Sequence, residues 1–219
     1  MSDPVARLRA LDSCAVSDAL DTEGVAGVAR GLVQMSSSRR IAGRCMTVRL
    51  VPDEGTKAPR HLCTAAVEAA GPDDVIVIDH GGRTEVAGWG GILSLAASQR
   101  GLAGVVIDGA ARDIDESREF DLPVFARAAT PTTARRRIVE KEWNVPVTLC
   151  AVAVAPGDYV IADGSGVVFV PQDRIDRILA TAERIAERER RMAADVRAGR
   201  PVSQVMGTDY ETMLDGDTK

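Results

Sequence analysis

Asp74-Val-Ile-Val-Ile-Asp79 and Gly104-Val-Val-Ile-Asp108 bracket the stretch on which the fold turns. The first run sits between a Pro/Asp pair and His80-Gly81-Gly82, so it reads as a short buried strand. The second has the same apolar, β-branched character. Between them a helical pattern runs from about Gly90 to Gln99, with Ile92, Leu95 and Ala96 on one face and Gly101 as its stop. Strand, helix and strand in that order make a β-α-β unit, which requires parallel strands and a right-handed crossover. The fold class is therefore α/β.

On the amino-terminal side, Val5 to Leu20 reads as helix interrupted near Asp12-Ser13, with Ser13 as a cap for the second segment. Ile41 to Val51 has strand composition. A polar loop, Pro52 to Pro59, and a helix from about Arg60 to Ala70 follow it. On the carboxyl-terminal side, Pro123 to Ala128, Val147 to Val154, Asp158 to Ala162 and Val167 to Val170 read as strands. The turns Pro156-Gly157 and Asp163-Gly164-Ser165-Gly166 separate the last three, with Asp163 shaping a hairpin. A long helix is expected over about 172–198, ended by Gly199 and Pro201, with a polar tail at 199–219. No repeat or linker divides the chain, so the expectation is one domain over 1–219.

The 219 residues are 45% hydrophobic and only 3% aromatic, so the core is built from Val, Ile, Leu and Ala. A net charge of −5 argues against a nucleic-acid platform, and Arg135-Arg136-Arg137 reads as a solvated surface cluster. No apolar run approaches the ~18 residues that span a bilayer. The start, Met1-Ser2-Asp3-Pro4, lacks a basic segment followed by an apolar one, so the expected location is cytoplasmic. Cys14, Cys45, Cys63 and Cys150 are far apart and read as buried free thiols. With only His61 and His80 beside them, a zinc site rich in His and Cys is not expected.

Two features point to one pocket. Gly88-Trp89-Gly90-Gly91 stands at a helix start after a strand, where free N–H groups favour an anion and glycines allow close approach. A tight packing turn explains it equally well. Asp108-Gly-Ala-Ala-Arg112-Asp113-Ile-Asp-Glu116 begins where the second strand ends, which is where open parallel sheets bind ligands. Arg can grip a carboxylate with two hydrogen bonds, and Asp can coordinate a hard divalent cation. An Arg–Asp pair at a helix start is the plainer alternative. His80 and Glu85, between strand and helix, are placed at the mouth of the pocket or among solvated loop groups.

Gly91, twenty residues, Arg112-Asp113, two residues and Glu116 resemble the Gly-x20-Arg-Asp-x2-Glu/Asp signature of RraA-like proteins. The resemblance extends to Cys14-Ala-Val-Ser-Asp-Ala-Leu20, Ala155-Pro-Gly-Asp158 and Ala162-Asp-Gly-Ser-Gly-Val-Val168. This group is related to the metal-dependent aldolases of 4-hydroxy-4-methyl-2-oxoglutarate and 4-carboxy-4-hydroxy-2-oxoadipate. The resemblance implies a three-layer β/β/α fold of the swivelling type, assembled as a homotrimer or homohexamer with sites between subunits. It implies that Asp113 ligates Mg²⁺ or Mn²⁺, that Glu116 supports the metal's water shell, and that Arg112 contacts a 2-oxo acid and shares in proton transfer. It further implies that Gly90, Gly91 and the amides of Ile92 and Leu93 hold the substrate carboxylate. Related aldolases bring a carboxylate from a neighbouring subunit. Glu189, on the apolar stripe of the long helix, is the candidate for that role, with an Arg partner on its own helix as the alternative.

The implied function is a divalent-metal-dependent lyase, an aldolase or oxaloacetate decarboxylase that releases pyruvate. Retro-aldol cleavage of a 2-oxo acid needs a Schiff-base lysine or a cation, and Lys57, Lys141 and Lys219 all lie in polar or terminal settings. The departure is Gly91, where those aldolases carry an Asp that helps orient metal-bound water. Relatives with Gly there include the ribonuclease regulator. The alternative is therefore a non-catalytic protein that binds a ribonuclease or helicase assembly. A methyltransferase would need a GxGxG stretch after a strand, followed by an acidic strand end, and the chain offers none.

Overall fold

A computed structural model of the chain describes residues 3–55 and 60–207. Helices α1 (Pro4–Arg9) and α2 (Ser13–Thr22) come first, then the short strands β1 (Val28–Ala29) and β2 (Val33–Gln34). The long strand β3 (Ile41–Pro52) leads to α3 (Thr64–Ala69) and β4 (Asp74–Trp89). Next come α4 (Gly91–Gln99), β5 (Gly104–Ala111), α5 (Ile114–Glu119), β6 (Val124–Ala129) and β7 (Ile138–Trp143). A hairpin of β8 (Val147–Leu149) and β9 (Val152–Val154) precedes β10 (Tyr159–Asp163) and β11 (Gly166–Val170). Helices α6 (Ile175–Arg197) and α7 (Val202–Val205) close the described chain.

Among the described residues nine strands form one mixed sheet in the order β1-β11-β10-β3-β4-β5-β6-β2, with β7 antiparallel to the end of β3. Its centre, β3-β4-β5-β6, is parallel, and α4 makes the crossover from β4 to β5. Alternation along the central strands sends Ile76, Ile78, Val105 and Ile107 to one face, where they pack with Val67 of α3 and with Leu93 and Ala97 of α4. Val75, Val77 and Val106 point the other way, into a cluster with Val147, Leu149, Val152 and Val154 of the β8–β9 hairpin. Helices on one face and a small second sheet on the other give the β/β/α layering. A third cluster seats Leu8, Val16, Leu20, Ile178 and Leu179 of α1, α2 and α6 over Ile161 and Val168. Burying each such side chain is worth about 1.5–3 kcal/mol.

Several elements differ from the sequence reading for identifiable reasons. Strand β4 does not stop at Asp79. Gly81 (φ 64°) and Gly82 (φ 74°) let the chain bulge, the register against β5 shifts, and pairing resumes through Trp89. Val147 to Val154 is not one strand, because Cys150 (φ 49°) and Ala151 (φ 68°) both adopt left-handed conformations and make the two-residue turn of a hairpin. The helix expected from Arg60 begins only at Thr64, after left-handed Cys63. Asp12, not Ser13, caps α2, accepting the Ala15 N–H at 2.8 Å. Ser13 instead turns to Asp163, whose Oδ1 accepts both its hydroxyl (2.6 Å) and the Ser165 N–H (2.9 Å). Strands β1, β2 and β7 were not read from the sequence. Cys45 and Cys63 are buried, but Cys14 is exposed and Cys150 only half-buried. The tail beyond residue 207 lies outside the described residues. Among those residues, no helix is long and apolar enough to cross a membrane.

Candidate functional site

Because β4 continues past its bulge to Trp89, α4 starts at once, with Gly90 as its N-cap in an extended conformation (φ −159°). No side chain caps it, so the first-turn N–H groups of Ile92 and Leu93 have no partner within the helix. Leu93, Ser94 and Ala97 turn inward, whereas Ile92 is 80% exposed and Leu95 38%. The sequence reading had placed Ile92 and Leu95 on one face with Ala96. On that inward face Ser94 accepts a hydrogen bond from Trp89.

One strand over, β5 ends at Ala111, and the chain passes through Arg112 and Asp113 into α5. Asp113 is left-handed (φ 55°, ψ 43°) and makes no capping hydrogen bond to its own helix. Its carboxylate turns across to α4, where Oδ2 accepts the Gly91 N–H at 3.0 Å. The Arg112 Nε donates to both Asp113 oxygens at 3.1 Å. The two side chains are only 36% and 28% exposed.

A buried relay sets this geometry. Trp89 Nε1–H donates to Ser94 Oγ (2.8 Å), which lies 2.8 Å from Ser117 Oγ, and Ser117 in turn donates to the Asp113 carbonyl at 3.3 Å. With the indole as first donor, the chain has one consistent direction, from Trp89 through both hydroxyls to Asp113. A fully satisfied buried network of this kind fixes one arrangement of the elements it joins.

The resulting cleft, about 360 Å³, is lined by Gly90, Gly91, Ile92, Leu93, Arg112 and Asp113, with Trp89 behind them. His61, Thr133, Ala134 and Arg135 form its far wall. Sequence reasoning missed that wall, since the loop after β6 reaches it only through long-range bonds. The Thr130 N–H donates to the Ala111 carbonyl and the Ala87 N–H to the Thr132 carbonyl, both at 3.0 Å.

Glu116 stands beside Gly91. A Cβ built on Gly91 would lie 1.7 Å from Glu116 Oε2, and one on Gly90 would lie 2.9 Å from Asp113 Oδ2. Two carboxylates thus converge on the glycine pair, and one fills the room a side chain at 91 would take. Among the described residues no group of three or more His, Cys, Asp or Glu side chains could hold a metal ion. Asp113 lines the cleft, and a carboxylate there with Glu116 beside Gly91 suits Mg²⁺, which keeps waters and takes one or two protein carboxylates along with substrate oxygens.

The other candidates lie elsewhere. Glu189 is half-buried on α6 and does not line this cleft. Burial, and then Asp12 and Asp18, raise its carboxyl above the ordinary carboxylate range. His80 is fully buried rather than at the mouth. Its Nε2–H donates to the Val86 carbonyl at 2.9 Å, and Nδ1 has no partner. Burial is the main reason its pKa is lowered. Glu85 is exposed and does not line the cleft. Lys141 is exposed on β7, and Lys57 and Lys219 lie outside the described residues.

A family model described as RraA-like, Aldolase/RraA, matches residues 13–169. Protein DlpA of Legionella pneumophila is 28% identical over 193 residues, but this chain spans only 31% of DlpA's length while 88% of the chain is matched. A 4-hydroxy-4-methyl-2-oxoglutarate aldolase of Thermus thermophilus is 35% identical over 133 residues, covering 61% of this chain and 77% of that protein. Streptomyces coelicolor RraAS2, described as an unusual member of the RNase ES inhibitor RraA protein family, superimposes with a TM-score of 0.77. It is 26% identical and covers 87% of this chain and 95% of its own.

Proposed function

This chain belongs to the RraA-like family, and from that premise we propose that it is a divalent-metal-dependent lyase that cleaves or decarboxylates a 2-oxo or 4-hydroxy-2-oxo acid and releases pyruvate. The observation that carries the reading is the convergence of Asp113, Arg112 and the uncapped start of α4 on one cleft, with the Glu116 carboxylate beside Gly91.

Asp113 and Glu116 would hold Mg²⁺ or Mn²⁺. Once bound, the cation supplies positive charge against the negative charge that develops on the 2-oxo oxygen. The planar Arg112 guanidinium can grip the substrate carboxylate in two-pronged fashion. The Ile92 and Leu93 N–H groups, at the positive end of α4, complete that grip. Gly90 and Gly91 keep the backbone bare enough for contact. Glu116 meets the objection raised by Gly91, because its carboxylate reaches the space beside residue 91 from the next helix. Lys141 is solvated, so a Schiff-base route has no desolvated amine among the described residues.

Glu189 remains a candidate to act from a neighbouring subunit, which requires the trimer or hexamer; its place outside its own chain's cleft is compatible with that role. The likeness to the aldolase of Thermus thermophilus supports the lyase class. Purified protein with Mg²⁺ should release pyruvate from oxaloacetate or 4-hydroxy-4-methyl-2-oxoglutarate, and Asp113→Ala should abolish the release. A metal-dependent rate that survives Asp113→Ala defeats the assignment. The likeness to RraAS2 favours a second reading, a non-catalytic regulator. That reading expects no turnover and chelator-insensitive capture of a ribonuclease or helicase assembly.

A further inference from the structure

The floor of the cleft is the outer surface of the main core. Leu62, Trp89, Leu93 and Ala134 line the cleft, and all four belong to the cluster that packs α3 and α4 against the central strands. Their exposure runs only from 2% for Trp89 to 8% for Ala134. Ile92 adds an apolar lip at the start of α4.

The polar groups of these walls are turned to their own neighbours. The Trp89 indole N–H is committed to Ser94 Oγ at 2.8 Å, so the ring offers the cleft carbon alone. Thr64 Oγ donates to the His61 carbonyl at 2.8 Å, and Thr133 Oγ accepts the Arg135 N–H at 3.3 Å. His61 and Arg135 are exposed, and their side chains keep their water. The cleft therefore has two unlike halves. Arg112, Asp113 and the α4 amides make a polar end, and much of the remaining space, in about 360 Å³, is walled by hydrocarbon. A few polar groups that orient a ligand beside apolar walls that hold its body are the usual division of labour in a small-molecule site.

We propose, resting on the lyase reading above, that the substrate is a 4-hydroxy-2-oxo monoacid with an apolar (alkyl or aryl) group on C4, and that Leu62, Leu93 and Ala134 select it. Cleavage breaks the C3–C4 bond and leaves its electron pair on C3 as the pyruvate enolate. C4 becomes the carbonyl carbon of an apolar aldehyde as its hydroxyl gives up a proton, and C3 takes up one proton in turn. The products are pyruvate and the aldehyde, with no redox partner. Each methylene moved from water onto such a floor raises affinity about three- to fourfold.

The test titrates pyruvate, 2-oxobutanoate, 2-oxopentanoate and 2-oxohexanoate calorimetrically into the full chain with Mg²⁺, beside 2-oxoglutarate, the diacid of the same chain length as 2-oxopentanoate. Affinity should climb about three- to fourfold per methylene, the heat capacity of binding should become more negative along the series, and 2-oxopentanoate should bind more tightly than 2-oxoglutarate. Ala134→Leu, which fills the floor, should bring the longer acids down to the level of pyruvate, and Leu62→Ala should flatten the climb. Affinity that is level or falls with chain length, a diacid that binds more tightly than its matched monoacid, or the same climb in both variants overturns the inference alone. Failure of every acid to bind, pyruvate included, overturns the lyase reading and this inference together.

Discussion

The carboxylate of Glu116 occupies the space beside Gly91: its Oε2 lies 1.7 Å from the point where a Cβ on residue 91 would begin. Residues 91 and 116 therefore compete for one space, and a side chain at 91 would have to move the flexible carboxylate end of Glu116.

This reciprocity makes a double-mutant prediction. Gly91→Asp alone should lower Mg²⁺-dependent turnover by about tenfold or more, since it brings a clash and a third carboxylate to the same spot. Combined with Glu116→Ala, Gly91→Asp should recover much of that loss. Steady-state rates of the two single variants and the double variant decide it; strictly additive losses contradict the shared-space account.

The relay from Trp89 to Asp113 gives a second prediction. Ser117→Ala removes the middle of a buried chain and leaves Ser94 Oγ–H without its acceptor, at a cost of about 1–3 kcal/mol. Urea unfolding should show that loss, and the KM for the 2-oxo acid should rise because the Asp113 backbone is no longer pinned. Restoration by Ser117→Thr of the KM, more than of the stability, would mark a positioning role.

His80 predicts a pH dependence of stability. Its ordinary pKa of 6.5 is lowered in the fold chiefly by burial; the Val86 carbonyl opposes this, Arg83 adds a smaller lowering, and Glu85 and Asp108 oppose it further. The unfolded chain therefore binds the proton more readily than the folded one. The stability due to neutral His80 is complete above pH 6.5 and is lost as the pH falls below that value. Urea midpoints should drop between pH 7 and pH 5 more steeply for the wild type than for His80→Gln. Parallel slopes would remove His80 from the account.

The β4-α4-β5 unit was legible because two apolar runs and a glycine-bounded helix leave little other choice. Arg112 and Asp113 could be placed at a strand end by the general rule for open parallel sheets. The continuation of β4 to Trp89 was not legible, because Gly81 and Gly82 look like a stop and act as a bulge. The Cys150-Ala151 turn carries neither Gly nor Asn, so the hairpin hid inside an apparent single strand. On α4 the helical pattern sets Ile92, Leu95 and Ala96 on one face, but the face turned inward is that of Leu93, Ser94 and Ala97, with Ser94 bonded to Trp89 and Ser117. The far wall at Thr133 and Arg135 is brought in by backbone bonds to β4 and β5, contacts between distant parts of the chain that no local pattern announces.

In the lyase reading Asp113 and Glu116 hold a divalent cation beside Arg112. Mn²⁺ binding, followed by electron paramagnetic resonance in the wild type and in Asp113→Asn, measures this without reference to turnover. We expect one Mn²⁺ per chain in the wild type and a loss of affinity of at least about tenfold in Asp113→Asn. Undiminished Mn²⁺ affinity in that variant, or no binding by the wild type, would contradict the claim.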